Sequence, residues 1–205
     1  MNVIKITYSL MDANTYMLYW DDERALLIDC VPNCYNKVQK LCKKYNKRIV
    51  GILLTHGHID HMADAVKFQK DGVKIFIASN DSDKLYTDKN LGYRLGLSYE
   101  PTNADGFLNT DRYNFCGHYI DCIETPGHSA GSMCYYLEGV MFTGDTLFKN
   151  TVGRTDFEDG DPKELAKSLR YIKSKYPKTT AIYPGHGIES TLELEEMFNP
   201  YYKIL

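Results

Sequence analysis

A short stretch of the chain, residues 56 to 61, carries four side chains that can bind a metal ion: His56, His58, Asp60 and His61. Three of the six histidines of the chain lie in this stretch. Imidazole and carboxylate groups are the donors that suit zinc, iron and manganese. The histidines are spaced i, i+2 and i+5, whereas zinc-binding helices place theirs at i and i+4. Because Gly57 permits backbone shapes that other residues resist, we expect a tight loop that aims these donors at metal.

Three further donors stand beside glycine residues, each after a predicted strand: His128, Asp145 and His186. The ends of strands often carry functional sites, because the strands hold the loops in place. Four donors in one loop are too many for a single catalytic ion, which must keep one position open. The seven donors together suit two four- or five-coordinate ions that share one carboxylate and one bridging hydroxide.

The elements that must position the first donors can be predicted from local patterns. Runs rich in β-branched and aromatic residues predict strands at 3–8 and 15–20, and a short apolar run predicts another at 25–28. A helix is predicted over residues 35–45, where apolar residues recur at i, i+3 and i+4 and lysines form a solvated face. The continuous apolar run at 49–54 predicts a strand buried on both faces, directly before the first donors.

The remaining patterns predict helices at 62–70 and 192–198, a helix that begins at Asp161-Pro162, and strands at 74–78, 119–123, 133–137, 140–142 and 179–183. Asp161 is the predicted N-cap of its helix, with Pro162 at the first helical position. Residues 79–110 are polar and rich in turn residues, and they predict only a short helix near 81–85. The first strands follow one another directly, and the later strands alternate with helices. This order indicates an α/β fold with two sheets between helical layers.

Composition restricts the classes of function. The 205 residues contain no linker and no internal repeat, which predicts a single domain. A net charge of -3 argues against a nucleic-acid surface. No stretch approaches the roughly 20 apolar residues of a membrane span, and the N-terminus has no signal pattern, so we expect a cytoplasmic protein. The six cysteines form no C-x-x-C pair, which predicts free and mostly buried thiols.

The order T-H-x-H-x-D-H, then a distant His, then Gly-Asp, then a final Gly-His resembles the metallo-β-lactamase superfamily over nearly the whole chain. The resemblance implies a four-layer αβ/βα sandwich, with two mixed β-sheets flanked by helices and the site at one edge of the sheets. It assigns one ion to His56, His58 and His128, and the other to Asp60, His61 and His186. It makes Asp145 the bridging ligand. It makes Asp29 a residue that orients the ligands without binding the ion itself.

Two shorter motifs narrow the resemblance. The segment Gly153-Arg154-Thr155-Asp156 is similar to one in type II glyoxalases, their small single-domain relatives and persulfide dioxygenases. The segment Asn199-Pro200-Tyr201 also resembles the small relatives. We expect one domain over residues 1–205, without the C-terminal helical domain that binds glutathione in type II glyoxalases. Arg154 has open interpretations: with Asp156 it could form an ion pair or cap a helix, or it could contact the substrate.

The expected activity is hydrolysis of a small thioester or ester by a metal-bridging hydroxide, as in hydroxyacylglutathione hydrolases. The cofactors would be two divalent ions, with zinc expected and iron or manganese as alternatives. Asp60 would bind metal and also act catalytically by steering the proton of the hydroxide. The alternatives are a lactonase, a persulfide dioxygenase with one iron on His56, His128 and Asp145, and a non-catalytic binding module. The expected partner is a small-molecule substrate, with no nucleic acid and no membrane, and the oligomeric state is left open.

Overall fold

The computed structural model describes residues 1–115 and 117–205, which fall into two compact units, Met1–Leu108 and Asn109–Leu205. Each unit contains a six-stranded sheet with both parallel and antiparallel neighbours. The predicted fold class, two mixed sheets flanked by helices, is therefore confirmed. The predicted single domain concerns both units together and stays a prediction.

The first unit alternates strands with helices after an antiparallel start. Its elements are β1 (Asn2–Tyr8), β2 (Ala13–Tyr19), β3 (Arg24–Ile28), α1 (Tyr35–Tyr45), β4 (Arg48–Leu53), α2 (Ile59–Met62), α3 (Ala65–Lys70), β5 (Lys74–Ala78), two 3-10 helices (Ser79–Leu85 and Asp88–Asn90), α4 (Gly92–Leu95) and β6 (Gly106–Leu108). The strands lie in chain order, antiparallel from β1 to β3 and parallel from β3 to β6. Parallel neighbours require long crossover connections, which the helices provide.

Helix α1 occupies the residues that the apolar periodicity predicts. It ends at Tyr45, and the C-cap residue Asn46 adopts a left-handed conformation with φ 50°, which is common at the ends of helices. Val38 and Cys42 enter a buried core together with apolar residues of the strands and of α3, such as Ile75 and Phe68. The predicted helix over 62–70 is split in two, since α2 begins earlier, at Ile59, and α3 follows it.

The second unit consists of an antiparallel meander completed by one parallel strand. Its elements are β7 (Asp111–Phe115), β8 (His118–Glu124), β9 (Met133–Leu137), β10 (Val140–Gly144), β11 (Leu147–Phe148), β12 (Thr151–Val152), α5 (Pro162–Lys175), β13 (Ala181–Pro184), β14 (Ser190–Thr191) and α6 (Leu192–Phe198). The sheet order is β14-β13-β10-β9-β8-β7, and β11 and β12 form a separate hairpin. The side chain of Asp161 accepts hydrogen bonds from the N–H groups of Lys163 and Glu164, so the predicted N-cap of α5 is confirmed.

Strand direction gathers the ends of three strands at one edge of this second sheet. β8 and β10 are both antiparallel to β9, so they run the same way, and β13 is parallel to β10. Their carboxyl ends therefore lie at the same edge. Gly185 N–H donates to the carbonyl of Gly144 at 2.8 Å, which joins the segments that leave β13 and β10.

Five cysteines are free thiols with buried side chains: Cys30, Cys34, Cys42, Cys122 and Cys134. The prediction of free thiols is confirmed for these five, and Cys116 lies outside the described residues. Among the helices within residues 1–115 and 117–205, none is long and apolar enough to cross a membrane.

Candidate metal-binding residues

The four donors of residues 56 to 61 lie at the carboxyl end of β4 and are buried, with exposures of 1%, 4%, 5% and 0% in chain order. His56 and His58 lie in a loop, as predicted. Asp60 and His61 instead lie in the single helical turn of α2, so the predicted loop is wrong for these two residues. The turn forms because His58 caps it, and its carbonyl accepts a hydrogen bond from the N–H of His61 at 3.0 Å.

The same four side chains converge within the first unit. The metal-binding atoms of His56 and His58 lie within 4.8 Å of each other, and so do those of His56 and His61. Nε2 of His61 lies 3.7 Å from Oδ2 of Asp60. The sequence therefore places the four donors together through one short segment of backbone.

Asp29 holds His61 in a defined orientation. β3 and β4 are parallel neighbours, so the residues after them meet, and Asp29 N–H donates to the carbonyl of Leu53 at 3.1 Å. The Asp29 carboxylate accepts hydrogen bonds from N–H and Oγ1–H of Thr55, at 2.7 Å and 2.8 Å, and lies 2.9 Å from Nδ1 of His61. Burial raises the pKa of Asp29, while the interactions with His61 and Thr55 lower it. With the proton on Nδ1, His61 presents Nε2 as the atom that can bind metal.

The second unit brings its own three donors together at the strand edge described above. His128 follows β8, Asp145 follows β10 and His186 follows β13. Oδ2 of Asp145 lies 3.5 Å from Nε2 of His128 and 3.4 Å from Nε2 of His186. A single carboxylate oxygen thus stands between two imidazole nitrogens.

These separations fit shared metal ligands better than direct hydrogen bonds. A hydrogen bond between nitrogen and oxygen has a length of roughly 2.7–3.2 Å. Two ligand atoms on one tetrahedral ion, each at about 2.0–2.1 Å, are about 3.3 Å apart. The distances from Asp145 to His128 and His186 are close to this second value. The chemistry of the donors and their spacing therefore both suit a divalent metal ion.

The orientation of His128 is set by a backbone carbonyl. Nδ1 of His128 lies 2.8 Å from the carbonyl oxygen of Arg154. Because a carbonyl can only accept, Nδ1 carries the proton and Nε2 faces Asp145 with its lone pair. A Cβ on the neighbouring Gly153 would lie 1.8 Å from the carbonyl oxygen of Asp145. The chain at 153–154 therefore packs directly against two of the donors.

The side chain of Arg154 points elsewhere. It forms a bidentate ion pair with Asp156, with both N–O distances 2.6 Å, and both side chains are more than 60% exposed. The hydrogen bond from Arg154 lowers the pKa of Asp156 to about 2. The guanidinium group also lies 4.6 Å from the ring centre of Phe157, which in turn contacts the His128 ring edge-on. The ion pair, one of the open interpretations of Arg154, is therefore present, and it lies beside a candidate ligand.

The hairpin β11–β12 lies between Asp145 and Gly153 in the chain, and the buried side chains of Asn199 and Glu195 hold it. Sequence reasoning missed this pair of side chains, which we call the clamp. The side-chain amide of Asn199 donates to the carbonyl of Thr151 and to the carboxylate of Glu195, each at 2.9 Å. The same Glu195 carboxylate accepts the N–H of Asn150 at 2.7 Å. In the sequence, Asn199 stands out only through the Asn199-Pro200-Tyr201 motif, and Glu195 carries no signal beyond its place in a predicted helix.

Comparison with known proteins shows which family the chain belongs to. The model of the metallo-beta-lactamase superfamily matches residues 10–112 and 120–186. The hydroxyacylglutathione hydrolase GloC of Haemophilus influenzae is 30% identical over 98% of this chain and 98% of its own length. The solved structure of the BLEG-1 B3 metallo-beta-lactamase is 30% identical with a TM-score of 0.91, covering 98% of this chain and 99% of that one.

A third comparison concerns metal content. The structure of TTHA1623, solved in a di-iron-bound form, is 27% identical with a TM-score of 0.86, and covers 97% of this chain and 100% of that one. The extent of these matches exceeds the length of any one motif. The chain belongs to the metallo-β-lactamase superfamily.

Proposed function

We propose that the chain is a dinuclear metal-dependent hydrolase that cleaves small thioesters or esters, as hydroxyacylglutathione hydrolases do. One ion would be held by His56, His58 and His128, the other by Asp60, His61 and His186, with Asp145 shared between them. This proposal requires the two units to present their donors to each other. The observation that carries it is the position of Asp145 Oδ2, near Nε2 of both His128 and His186.

One relative supports the number of metal ions, and another supports the reaction. TTHA1623 was solved in a di-iron-bound form, which supports two ions in a chain of this length. The Haemophilus relative is named a hydroxyacylglutathione hydrolase, which supports a thioester substrate. Zinc remains the expected metal, with iron or manganese as alternatives, because this donor set accepts all three. We place the activity in the cytoplasm.

The mechanism assigns a separate task to each group of residues. Bound divalent ions would supply a hydroxide nucleophile at neutral pH and would polarise the carbonyl of the substrate. Asp29 holds the Nδ1 proton of His61, and the Arg154 carbonyl holds that of His128, so each ring offers Nε2. Asp60, only 5% exposed and beside His61, would bind metal and steer the proton of the nucleophile.

The exposed side chain of Arg154 supports a substrate that carries carboxylates. The guanidinium of Arg154 packs on the ring of Phe157, which in turn contacts His128, and it forms an ion pair with Asp156. A substrate carboxylate could replace Asp156 with the same bidentate geometry. An acyl thioester of glutathione carries such carboxylates, so we propose this class of thioester as the substrate.

The test combines metal analysis with an assay on one sample. Protein purified without added metal should contain about two metal ions per chain and should hydrolyse S-D-lactoylglutathione. Removal of the metal with a chelator should abolish hydrolysis, and added zinc should restore it. One iron per chain, no hydrolysis and oxygen uptake with glutathione persulfide would overturn the proposal in favour of a dioxygenase.

A second candidate function, hydrolysis of β-lactams, is favoured by the similarity to BLEG-1, which is named a B3 metallo-beta-lactamase. The same nucleophile could attack the β-lactam carbonyl. The chromogenic cephalosporin nitrocefin tests this candidate on the same sample. A kcat/KM higher for nitrocefin than for S-D-lactoylglutathione would make the β-lactam the better substrate.

A further inference from the structure

A buried ion pair lies in the segment after β5, the part of the chain that the sequence explains least. Asp81 and Lys84 lie in the first 3-10 helix, with exposures of 0% and 2%. Nζ of Lys84 lies 2.7 Å from Oδ1 of Asp81. Lysine and aspartate are almost never fully buried unless they are paired, because both lose their hydration. Such a pair contributes little net stability, because the loss of hydration of both charges offsets their attraction.

The second oxygen of Asp81 reaches the candidate metal-binding loop. Oδ2 accepts a hydrogen bond from the backbone N–H of Gly57 at 2.9 Å. Gly57 is the residue between His56 and His58. The carboxylate therefore joins Lys84 on one side to the peptide between two candidate ligands on the other.

The loop around Gly57 packs tightly against the 3-10 helix Ser79–Leu85. A Cβ on Gly57 would lie 2.6 Å from Cβ of Lys84 and 2.8 Å from the carbonyl oxygen of Asp81, so only glycine fits without a shift. The carbonyl of Lys84 in turn accepts a hydrogen bond from the side-chain amide of Asn90 at 3.1 Å. The oxygen of the same amide accepts the N–H of Gly92 at 2.8 Å. Contacts from residue 81 to residue 92 thus fix the surface on which Gly57 lies.

We propose that Asp81, held by Lys84, is a positioning residue for metal binding. It fixes the peptide at Gly57, and thereby sets the directions in which His56 and His58 project. This inference rests on the proposed function, since it takes these two histidines as ligands of one ion. It also gives the segment 79–92 a role, as the support of the loop.

The test compares two ion pairs of the same segment. In the first variant, Asp81→Leu with Lys84→Met, both buried charges are removed together, so that neither is left unpaired. The matched control is Asp83→Leu with Lys89→Met, which removes an exposed pair 2.6 Å apart on the same stretch of chain. Full-length metal-free protein is titrated with Co²⁺, and the visible absorption of the bound ion reports both affinity and ligand geometry. Thermal unfolding of the metal-free proteins is measured in parallel.

The buried-pair variant is expected to bind Co²⁺ about 10- to 100-fold more weakly than the wild type and to change the cobalt spectrum. The control is expected to match the wild type in both. Asp81→Glu is a second variant, which keeps the charge pair but displaces the acceptor by one methylene, and it too should weaken binding. It decides the question if the double variant does not fold.

The outcomes separate the two proposals. Wild-type Co²⁺ affinity and spectrum in the folded buried-pair variant, or in Asp81→Glu if that variant alone folds, would overturn the positioning role and leave the proposed function intact. A wild-type protein that binds no Co²⁺ would overturn the proposed function itself, and the positioning role with it.

Discussion

Oγ1 of Thr55 lies 3.0 Å from Nδ1 of His56, the residue that follows it. The hydroxyl proton of Thr55 is directed to Asp29, at 2.8 Å, so Oγ1 must accept the hydrogen bond from His56. Asp29 also lies 2.9 Å from Nδ1 of His61. One buried carboxylate therefore fixes the protonated nitrogen of two candidate ligands, one directly and one through a hydroxyl group. Both rings are left with Nε2 available for metal.

Replacing Thr55 by Val removes the acceptor for His56 while keeping the shape of the side chain. We expect metal affinity to fall about tenfold, because the imidazole is no longer held in one tautomer. Thr55→Ser keeps the hydroxyl and should restore wild-type affinity. Titration of the metal-free protein gives the affinity, and ¹⁵N NMR of the imidazoles gives the tautomer. Equal affinity in the Val and Ser variants would contradict this prediction.

Gly153→Ala should damage both the fold and the metal content. The new Cβ would lie 1.8 Å from the carbonyl oxygen of Asp145 and 3.2 Å from Cβ of His128, so the backbone must move. Overpacking of this kind costs about 1–3 kcal/mol of the free energy of unfolding. Urea denaturation and metal analysis measure the two effects. The prediction fails if the variant unfolds at the wild-type urea concentration with its full metal content.

Arg154→Ala should affect substrate binding and spare the metal. The contact with His128 is made by the Arg154 backbone carbonyl, which alanine retains. Loss of the guanidinium should raise KM for S-D-lactoylglutathione about tenfold, the typical effect of one hydrogen bond to a charged group. Metal content and melting temperature should stay at wild-type values.

The control for that experiment is Arg112→Ala, since Arg112 is also exposed and paired with a carboxylate, that of Asp121 at 3.2 Å. Its KM should not change. A KM that is unchanged in Arg154→Ala as well would show that the ion pair with Asp156 is the whole role of Arg154.

The bounds of α1, the start of α5 and the set of donors could be predicted because their signals are local. The apolar period predicts the bounds of α1, and the Asp161-Pro162 pair predicts the start of α5. The donors can be recognised by their residue types, and all but Asp60 and His61 also stand next to a glycine. Strand β7 was missed because it is an edge strand, with Asp111, Arg112 and Asn114 exposed, and so lacks an apolar face.

The supports of the site could not be predicted from the sequence, because they depend on contacts between distant residues. Asp81 accepts a hydrogen bond from Gly57, 24 residues away in the chain, and Glu195 accepts one from Asn150, 45 residues away. A polar residue in a helix is ordinarily solvated, and no local pattern indicates which backbone group a buried one will meet. Burial of these carboxylates is decided by the packing of the whole unit.

Two buried thiols make the free energy of unfolding fall as the pH becomes alkaline. Burial raises the pKa of Cys122 to about 12 and that of Cys134 to about 11, against 9.0 ordinarily. The folded state therefore keeps protons that the unfolded chain releases above pH 9. The resulting stabilisation is complete below pH 9 and is lost as the pH rises from about 9 to about 11–12.

We expect each of these thiols to account for a loss of about 1 kcal/mol between pH 8 and pH 10. Urea midpoints at the two pH values measure this loss, and Cys122→Ala should show a smaller one than the wild type. At pH 8 both thiols should react with a thiol reagent only after unfolding. Identical pH dependence in the wild type and Cys122→Ala would show that Cys122 is not involved.

The clamp on the β11–β12 hairpin has a consequence for the order of events during synthesis. Thr151 and Asn199 are 48 residues apart in the chain. A ribosome that adds about 5–20 residues per second makes the hairpin about 2–10 seconds before its clamp exists. During that interval the contacts that Asn199 and Glu195 make with the hairpin next to Asp145 are absent. The hairpin next to Asp145 therefore reaches its clamped position only after Asn199 has been made.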